Sequence, residues 1–164
     1  MLLKDYFPNL QKKYHKFSFK GIAFNSNEVK EGYIFFAFKG NNTDGNLFIN
    51  DAIKNGSKII ISDKPKTDYW KNNILFLKNG NPRNLLAKFS SKIFNKKPNN
   101  LIAVTGTNGK SSIANFYFQI LTYNRIKAAS IGTLGVNGLN VNKKFPNTTF
   151  DTVQINKILK KLKE

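Results

Sequence analysis

A glycine-bearing segment at residues 106–112 most constrains what this chain can fold into. It reads Gly-Thr-Asn-Gly-Lys-Ser-Ser, follows an apolar run at 101–104 and precedes a stretch with helical spacing at 110–123. This is the order in which phosphate-binding loops are built, because backbone N–H groups must converge on the anion in front of a helix N-terminus. The sequence therefore predicts a buried strand at 101–104, a phosphate-binding loop, and a helix from about 110 to 123.

The residue types in the loop suit nucleotide chemistry. Gly106 and Gly109 permit a tight turn and a close approach of backbone to phosphate, Lys110 carries a charge for the β- and γ-phosphates, and Ser111 offers a hydroxyl to Mg²⁺. The general pattern G-x-x-x-x-G-K-S/T is not met, since Val104 stands where its first glycine would be. A glycine-rich turn with an incidental lysine is the plain alternative. We expect ATP and Mg²⁺ as ligands of Gly106, Thr107, Asn108, Gly109, Lys110, Ser111 and Ser112.

Apolar runs separated by turn signals predict a first α/β domain ahead of the loop. The predicted strands cover 19–23, 33–38, 58–62 and 74–77, and the predicted helices cover about 47–53 and 82–93. The polar, proline-containing segment 96–100 interrupts both periodicities. We therefore predict two domains, 1–97 and 98–164.

The second domain is predicted to open a parallel sheet. A second strand is expected at 126–131, a loop or hairpin at 132–145, and a final helix capped by Asp151. About 65 residues are too few to cover both faces of a parallel sheet, which would leave apolar surface exposed. Either a partner covers that surface or the chain is a fragment of something longer, and we favour the fragment. The fold class is thus α/β, a small N-terminal domain followed by the truncated start of a parallel-sheet domain.

The charge of the chain allows two explanations. With 27 Lys and Arg against 9 Asp and Glu, the net charge is +18, as in proteins that bind nucleic acid. However, the lysines are spread along the chain instead of clustering, and Asn, Ile and Phe are also abundant. A/T-rich codons explain that joint bias, so we expect no nucleic-acid partner.

Other features limit the cell compartment and the chemistry. The chain has no cysteine, which excludes disulfides and thiolate metal sites. No apolar run reaches the roughly 18–20 residues of a membrane span, and Met1–Leu10 lacks the pattern of a secretory signal. We expect a cytoplasmic protein without a membrane span.

Thr105–Ser111 resembles the T-G-T-N-G-K-S/T loop of the Mur ligases and their folylpolyglutamate synthetase relatives. Gly132–Gly135 and Asn147–Thr149 are similar to segments of the branch, the MurE ligases, that adds the third amino acid to the UDP-N-acetylmuramoyl peptide. Segments around Ser26, Gly40 and Gly45 follow the N-terminal pattern of that branch, but Asn25 and Asn27 replace its Asp and Arg, and Phe150 replaces its Pro. The resemblance implies a substrate-binding set of Phe24, Ser26, Asn41, Asn42, Thr43, Asn147, Thr148 and Thr149. The three residues 147–149 could equally belong to the cap of the last helix.

The resemblance also implies a reaction. An ATP-dependent ligase of peptidoglycan synthesis would join an amino acid, by default diaminopimelate, to UDP-N-acetylmuramoyl-L-alanyl-D-glutamate through an acyl phosphate. Lys110 would be the catalytic clamp on the γ-phosphate and Ser111 the metal ligand. The acidic metal ligand, carbamylated lysine and C-terminal domain of the family have no match in this sequence, so we expect no turnover by the chain alone. Other ligases of the superfamily, of the MurF or MurC type, and a basic nucleic-acid-binding module remain as alternatives.

Overall fold

The computed structural model describes residues 1–7, 9–40, 43–138 and 150–164 of the chain. The described residues fall into two units, Met1–Ile93 and Phe94–Glu164.

Apolar runs of the first unit form a five-stranded sheet in the order β1-β2-β3-β5-β4. The strands are β1 (Gly21–Ala23), β2 (Tyr33–Ala37), β3 (Ile59–Ser62), β4 (Tyr69–Lys71) and β5 (Ile74–Lys78). Strands β1, β2, β3 and β5 run parallel, which confirms the four predicted strands and the α/β class. Such strands read as continuous apolar runs because both of their faces are buried.

Strand β4 was not predicted. It pairs antiparallel with β5, and all three of its residues are exposed, so it lacks the buried apolar run by which the other four strands were predicted. Asn72 and Asn73 connect the two strands with φ angles of 48° and 61°. Two successive residues with positive φ form the type I′ turn of tight hairpins, a conformation that asparagine tolerates. The Asn-Asn pair, which follows the strand-favouring aromatics Tyr69 and Trp70 closely, was therefore a local sign of this hairpin.

Two helices accompany the sheet, as predicted. They are α1 (Ile49–Lys54) and α2 (Pro82–Ile93), and short 3₁₀ turns occupy Leu3–Asp5, Lys12–Tyr14, Ser26–Glu28 and Gly45–Phe48. Gly56 follows α1 with a φ of 101°, and a Cβ there would lie 2.7 Å from the Cα of Glu31. The Asn81 side chain accepts a hydrogen bond of 2.9 Å from the N–H of Asn84 at the start of α2, as an N-cap does.

The core of the first unit lies on both faces of the parallel strands. On one face Phe35 and Ile60 pack in a cluster with Ala52 of α1. Towards α2, the ring of Phe36 lies 5.4 Å from that of Phe89, which is 1% exposed. Phe35 and Phe36 serve opposite faces because successive side chains of a strand alternate.

The described residues of the second unit form two helices and a hairpin. They are α3 (Lys110–Tyr123), β6 (Ser130–Gly132), β7 (Gly135–Asn137) and α4 (Thr152–Lys163), with β6 and β7 antiparallel. The predicted helix at 110–123 is confirmed. Asp151 caps α4 as predicted, because its Oδ1 accepts hydrogen bonds of 2.8 Å from the N–H groups of both Val153 and Gln154.

The predicted strand at 101–104 is wrong, and so is most of the predicted strand at 126–131. Residues 101–106 have no regular structure, and the side chains of Leu101 and Ile102 are 57% and 66% exposed instead of buried. Only Ser130 and Ile131 of the second segment are in a strand, and that strand belongs to a hairpin. The physical reason is that a strand needs a hydrogen-bonding neighbour, and the described part of this unit supplies none to 101–104.

Helix α3 also has an exposed apolar side. None of its residues is buried, and Ile113, Phe116 and Ile120 are each more than half exposed. Within the described ranges, no helix is both long enough and apolar enough to cross a bilayer.

We expect Phe89→Ala to destabilise the first unit strongly. The ring fills the space between Phe36, Phe19 and Tyr6, and removing a buried phenylalanine side chain costs about 3–5 kcal/mol. The single tryptophan, Trp70, lies in this unit, so its fluorescence during urea unfolding measures the effect. Leu47→Ala, at a side chain that is 77% exposed, is the control and should change the free energy of unfolding little. Equal stabilities of the two variants would contradict this description of the core.

Candidate functional site

The loop at 106–112 runs directly into the start of a helix, as predicted. Gly109 is the N-cap of α3 and has a left-handed φ of 75°, a conformation that glycine adopts without strain. The first helical hydrogen bond runs from the N–H of Ile113 to the carbonyl of Gly109, at 2.9 Å. The N–H groups of residues 110–112 therefore lie ahead of the helical ladder, where an anion can accept hydrogen bonds from them.

Lys110 lies across its own loop. Its Nζ donates hydrogen bonds to the carbonyl of Gly106 and, at 3.1 Å, to the carbonyl of Thr107. These contacts hold the positive charge over the turn that precedes the helix. The residues of the predicted ligand set, 106–112, are all exposed. The site is thus an open surface in which backbone donors and one ammonium group lie together.

Ser111 contacts a residue outside the loop. Its Oγ lies 3.0 Å from Oγ1 of Thr133, in the turn between β6 and β7. Among the described residues, no group of three or more His, Cys, Asp or Glu could hold a metal ion. Mg²⁺ prefers oxygen ligands and keeps several waters or phosphate oxygens, so the Ser111 hydroxyl would fit it as one ligand of several.

In the first unit, predicted substrate residues lie at the carboxyl end of the sheet. Phe24 follows β1, and its ring stacks on that of Phe38, which follows β2, with centroids 6.1 Å apart and planes 17° apart. The guanidinium of Arg83 lies 5.1 Å from the Phe38 ring centre. The carboxyl ends of parallel strands are where α/β folds bind ligands. Neither Phe38 nor Arg83 was in the predicted substrate-binding set, although their positions after a strand and at a helix start were available signals.

Ser26 and Thr43 lie in the segments that follow β1 and β2, and the carbonyl of Ser26 accepts a 2.9 Å hydrogen bond from the side chain of Asn55, the C-cap of α1. Ser26 is 7% exposed and begins a 3₁₀ turn, whose N-cap Asn25 accepts a 3.0 Å hydrogen bond from the N–H of Asn27. The carbonyl of Thr43 accepts a 2.8 Å hydrogen bond from the N–H of Gly40, which closes the loop after β2. Asn25 thus has a structural role in the position where the family pattern has aspartate.

A polar network adjoins this loop. Asp44 Oδ1 accepts hydrogen bonds from the backbone and side-chain N–H groups of Asn46, at 3.0 and 2.8 Å. Ser62, which ends β3, donates a 2.6 Å hydrogen bond to Asn46 Oδ1. The Asn46 hydrogen bonds lower the pKa of Asp44 below its ordinary value, and the charges of Lys64 and Lys39 lower that pKa further. Nothing in the sequence pattern indicated this network.

Five predicted substrate residues cannot be placed. Asn41, Asn42, Asn147, Thr148 and Thr149 lie outside the described residues. The alternative that 147–149 contribute to the cap of α4 stays open, although Asp151 itself supplies the side-chain cap.

Comparison with protein-family models shows to which family the chain belongs. Residues 18–99 match the model described as Mur ligase family, catalytic domain, and residues 104–164 match that of the Mur ligase middle domain. The chain belongs to the Mur ligase family.

Curated relatives of this Mur ligase chain are several times longer. It is 39% identical over 160 residues to the UDP-N-acetylmuramoyl-L-alanyl-D-glutamate--2,6-diaminopimelate ligase of Rickettsia felis, covering 95% of this chain and 30% of the relative. The ligase of the same name from Brucella melitensis is 37% identical over 142 residues, covering 87% of this chain and 29% of the relative. The chain therefore spans about a third of the length of these relatives.

A solved structure supports the fold. A ligase structure of the same name superposes with a TM-score of 0.75 at 23% identity and covers 99% of this chain and 33% of its own. At that identity the likeness concerns the fold alone.

We expect Asn46→Ala to raise the pKa of Asp44 part of the way to its ordinary value. The substitution removes the side-chain hydrogen bond and keeps the backbone one. Because folding lowers this pKa, Asp44 stabilises the fold when the pH is above the ordinary pKa of 3.8. This contribution to folding stability is lost as the pH falls through the lowered pKa of the folded state. An NMR titration of the carboxyl carbon measures the change, with Leu47→Ala as control. An unchanged Asp44 pKa in Asn46→Ala would contradict the proposed cause.

Proposed function

We propose that this Mur ligase chain supplies the ATP-binding loop and UDP-muramoyl-peptide site of a ligase that adds diaminopimelate to UDP-N-acetylmuramoyl-L-alanyl-D-glutamate. The main support for this proposal is the loop at 106–112, in which Gly109, the free N–H groups of α3 and Lys110 lie together at a helix start. The identity to curated ligases of that activity supports the choice of branch. In this proposal residues 1–97 bind the UDP substrate and 98–164 begin the ATP-binding domain, in the cytoplasm.

The first chemical step is phosphoryl transfer. A carboxylate oxygen of the peptide attacks the γ-phosphorus of ATP, the bond to the β-phosphate oxygen breaks, and ADP leaves. When ATP binds, the Lys110 ammonium gives up its hydrogen bonds to the carbonyls of Gly106 and Thr107 and donates to phosphate oxygens instead, so that it offsets the negative charge developing there. The N–H groups of residues 110–112 hold the polyphosphate. Ser111 would be a ligand of Mg²⁺, which neutralises phosphate charge when it is bound.

The second step forms the amide. The amine of the incoming amino acid attacks the acyl carbon, the C–O bond to phosphate breaks, and the nitrogen loses a proton. Positioning accounts for much of such catalysis, because it makes a reaction between bound groups effectively unimolecular. In this proposal the present chain positions the nucleotide and the UDP-sugar end, and the amino acid is bound elsewhere.

The carboxyl end of the first sheet is the proposed UDP-sugar site. The stacked rings of Phe24 and Phe38 present a flat apolar surface, and Arg83 adds positive charge beside it. Lys39 and Lys64 add further charge near the loop, since both lower the pKa of Asp44. This charge suits a diphosphate even though Asn27 replaces the arginine of the family pattern. Residues in or near the proposed site are Ser26, Asn41, Asn42 and Thr43, with Asn147, Thr148 and Thr149 contacting the muramoyl peptide.

The net charge of +18 favours one competing function, nucleic-acid binding. That function predicts affinity that falls steeply with salt and does not depend on Lys110. Loss of ATP binding on substitution of Lys110 would favour the ligase function over nucleic-acid binding.

We expect Lys110→Ala to weaken binding of ATP with Mg²⁺ by about 10–100-fold, the range for losing hydrogen bonds from a charged group. Titration of ¹⁵N-labelled protein, followed by NMR, measures even millimolar affinities. Lys127→Ala, at another exposed lysine of the same unit, is the matched control and should bind as the unsubstituted chain does. Equal affinity of Lys110→Ala, together with salt-sensitive DNA binding, would favour the nucleic-acid hypothesis instead.

Assayed by itself, the 164-residue chain should show no ligase turnover. The described residues contain no acidic cluster for a metal, and the sequence has no match to the carbamylated lysine of the family. Phosphate release with ATP, Mg²⁺, diaminopimelate and UDP-N-acetylmuramoyl-L-alanyl-D-glutamate is the measurement. Formation of the tripeptide product would overturn this expectation.

A further inference from the structure

The contact between Ser111 and Thr133 links the phosphate loop to the hairpin. The two hydroxyl oxygens are 3.0 Å apart, although the residues are 22 positions apart in sequence. Thr133 lies in the two-residue turn that connects β6 to β7, where Gly132 pairs with Gly135. The hairpin thus places a single hydroxyl against the one side chain of the loop that is proposed to bind Mg²⁺.

The direction of this hydrogen bond matters for metal binding. A serine hydroxyl has one hydrogen and two lone pairs, and a cation is bound through a lone pair. The hydrogen must then point away from the cation and be accepted by another atom. Thr133 Oγ1 lies at the right distance to accept it.

We propose that Thr133 is a positioning residue that accepts the hydroxyl hydrogen of Ser111 and thereby turns a lone pair of Ser111 Oγ towards Mg²⁺. This inference rests on the proposed function, since it concerns the same nucleotide site. The β-branched side chain of threonine restricts χ1, so Thr133 holds its oxygen in a defined direction. Residues of the turn are exposed, so a substitution at 133 leaves no cavity in a core.

The test compares ADP affinity with and without Mg²⁺ for the full 164-residue chain, measured by NMR titration. Thr133→Val removes the acceptor and keeps the shape, and we expect it to reduce the gain in affinity that Mg²⁺ provides by about fivefold, as for a lost hydrogen bond. Affinity without Mg²⁺ should stay unchanged. Thr133→Ser keeps the hydroxyl but not the β-branch, and it should restore most of the gain. In the Ser111→Ala background, Thr133→Val should have no additional effect, because the two residues act through one hydrogen bond.

Each other outcome overturns the inference. An unchanged Mg²⁺ effect in Thr133→Val, with normal behaviour of the parent chain, would overturn the inference and leave the proposed function standing. Equal weakening with and without Mg²⁺ would show that Thr133 only supports the loop. Absence of nucleotide binding by the parent chain would overturn the proposed function and this inference together. Thr133→Ala serves as a second variant if Thr133→Val gives a spectrum of an unfolded protein.

Discussion

The turn at Gly109 into α3 is the interaction on which the proposed nucleotide site depends. The carbonyl of Gly109 accepts the first helical hydrogen bond from Ile113, and its left-handed φ directs the preceding loop across the helix start. The free N–H groups, the helix dipole and the Lys110 ammonium then contribute positive potential at one place. A residue with a Cβ at 109 would be strained, because the φ of 75° is left-handed.

In the first unit, the parallel sheet brings together the residues of the second proposed site. Its parallel strands end at one edge, so the residues that follow β1, β2 and β3 come together there although they are far apart in sequence. Phe24, Phe38 and the Asp44 loop meet at this edge for that reason. Both proposed sites are thus built from the ends of regular elements, where backbone and side-chain groups are available to a ligand.

The two units differ in how much of their apolar surface they bury. The first unit buries its parallel strands between α1 and α2, with Phe35 and Phe36 fully covered, and leaves only the edge strand β4 exposed among the described strands of this sheet. In the second unit the described residues leave α3 without a buried side chain, and Ile102 stays exposed in front of the loop. The predicted strand at 101–104 has the right composition, but strand formation depends on a neighbour and not on composition alone.

The sequence by itself determined the features that depend on nearby residues. Helix α3, the loop before it and the Asp151 cap of α4 were predicted correctly, because their hydrogen bonds join residues a few positions apart. The four parallel strands were also predictable, since burial on both faces requires continuous apolar runs. Membership of the Mur ligase family was visible in the string Thr105–Ser111.

Only the tertiary structure decided the contacts between distant residues. The hydrogen bond between Ser111 and Thr133, the Asp44–Asn46–Ser62 network and the position of Arg83 over Phe38 join segments whose separation no periodicity reports. The pairing of β4 and the absence of a strand at 101–104 were likewise decided by contacts between distant segments. In each case the outcome depends on which neighbour the folded chain supplies, and a local pattern of residues carries no record of that neighbour.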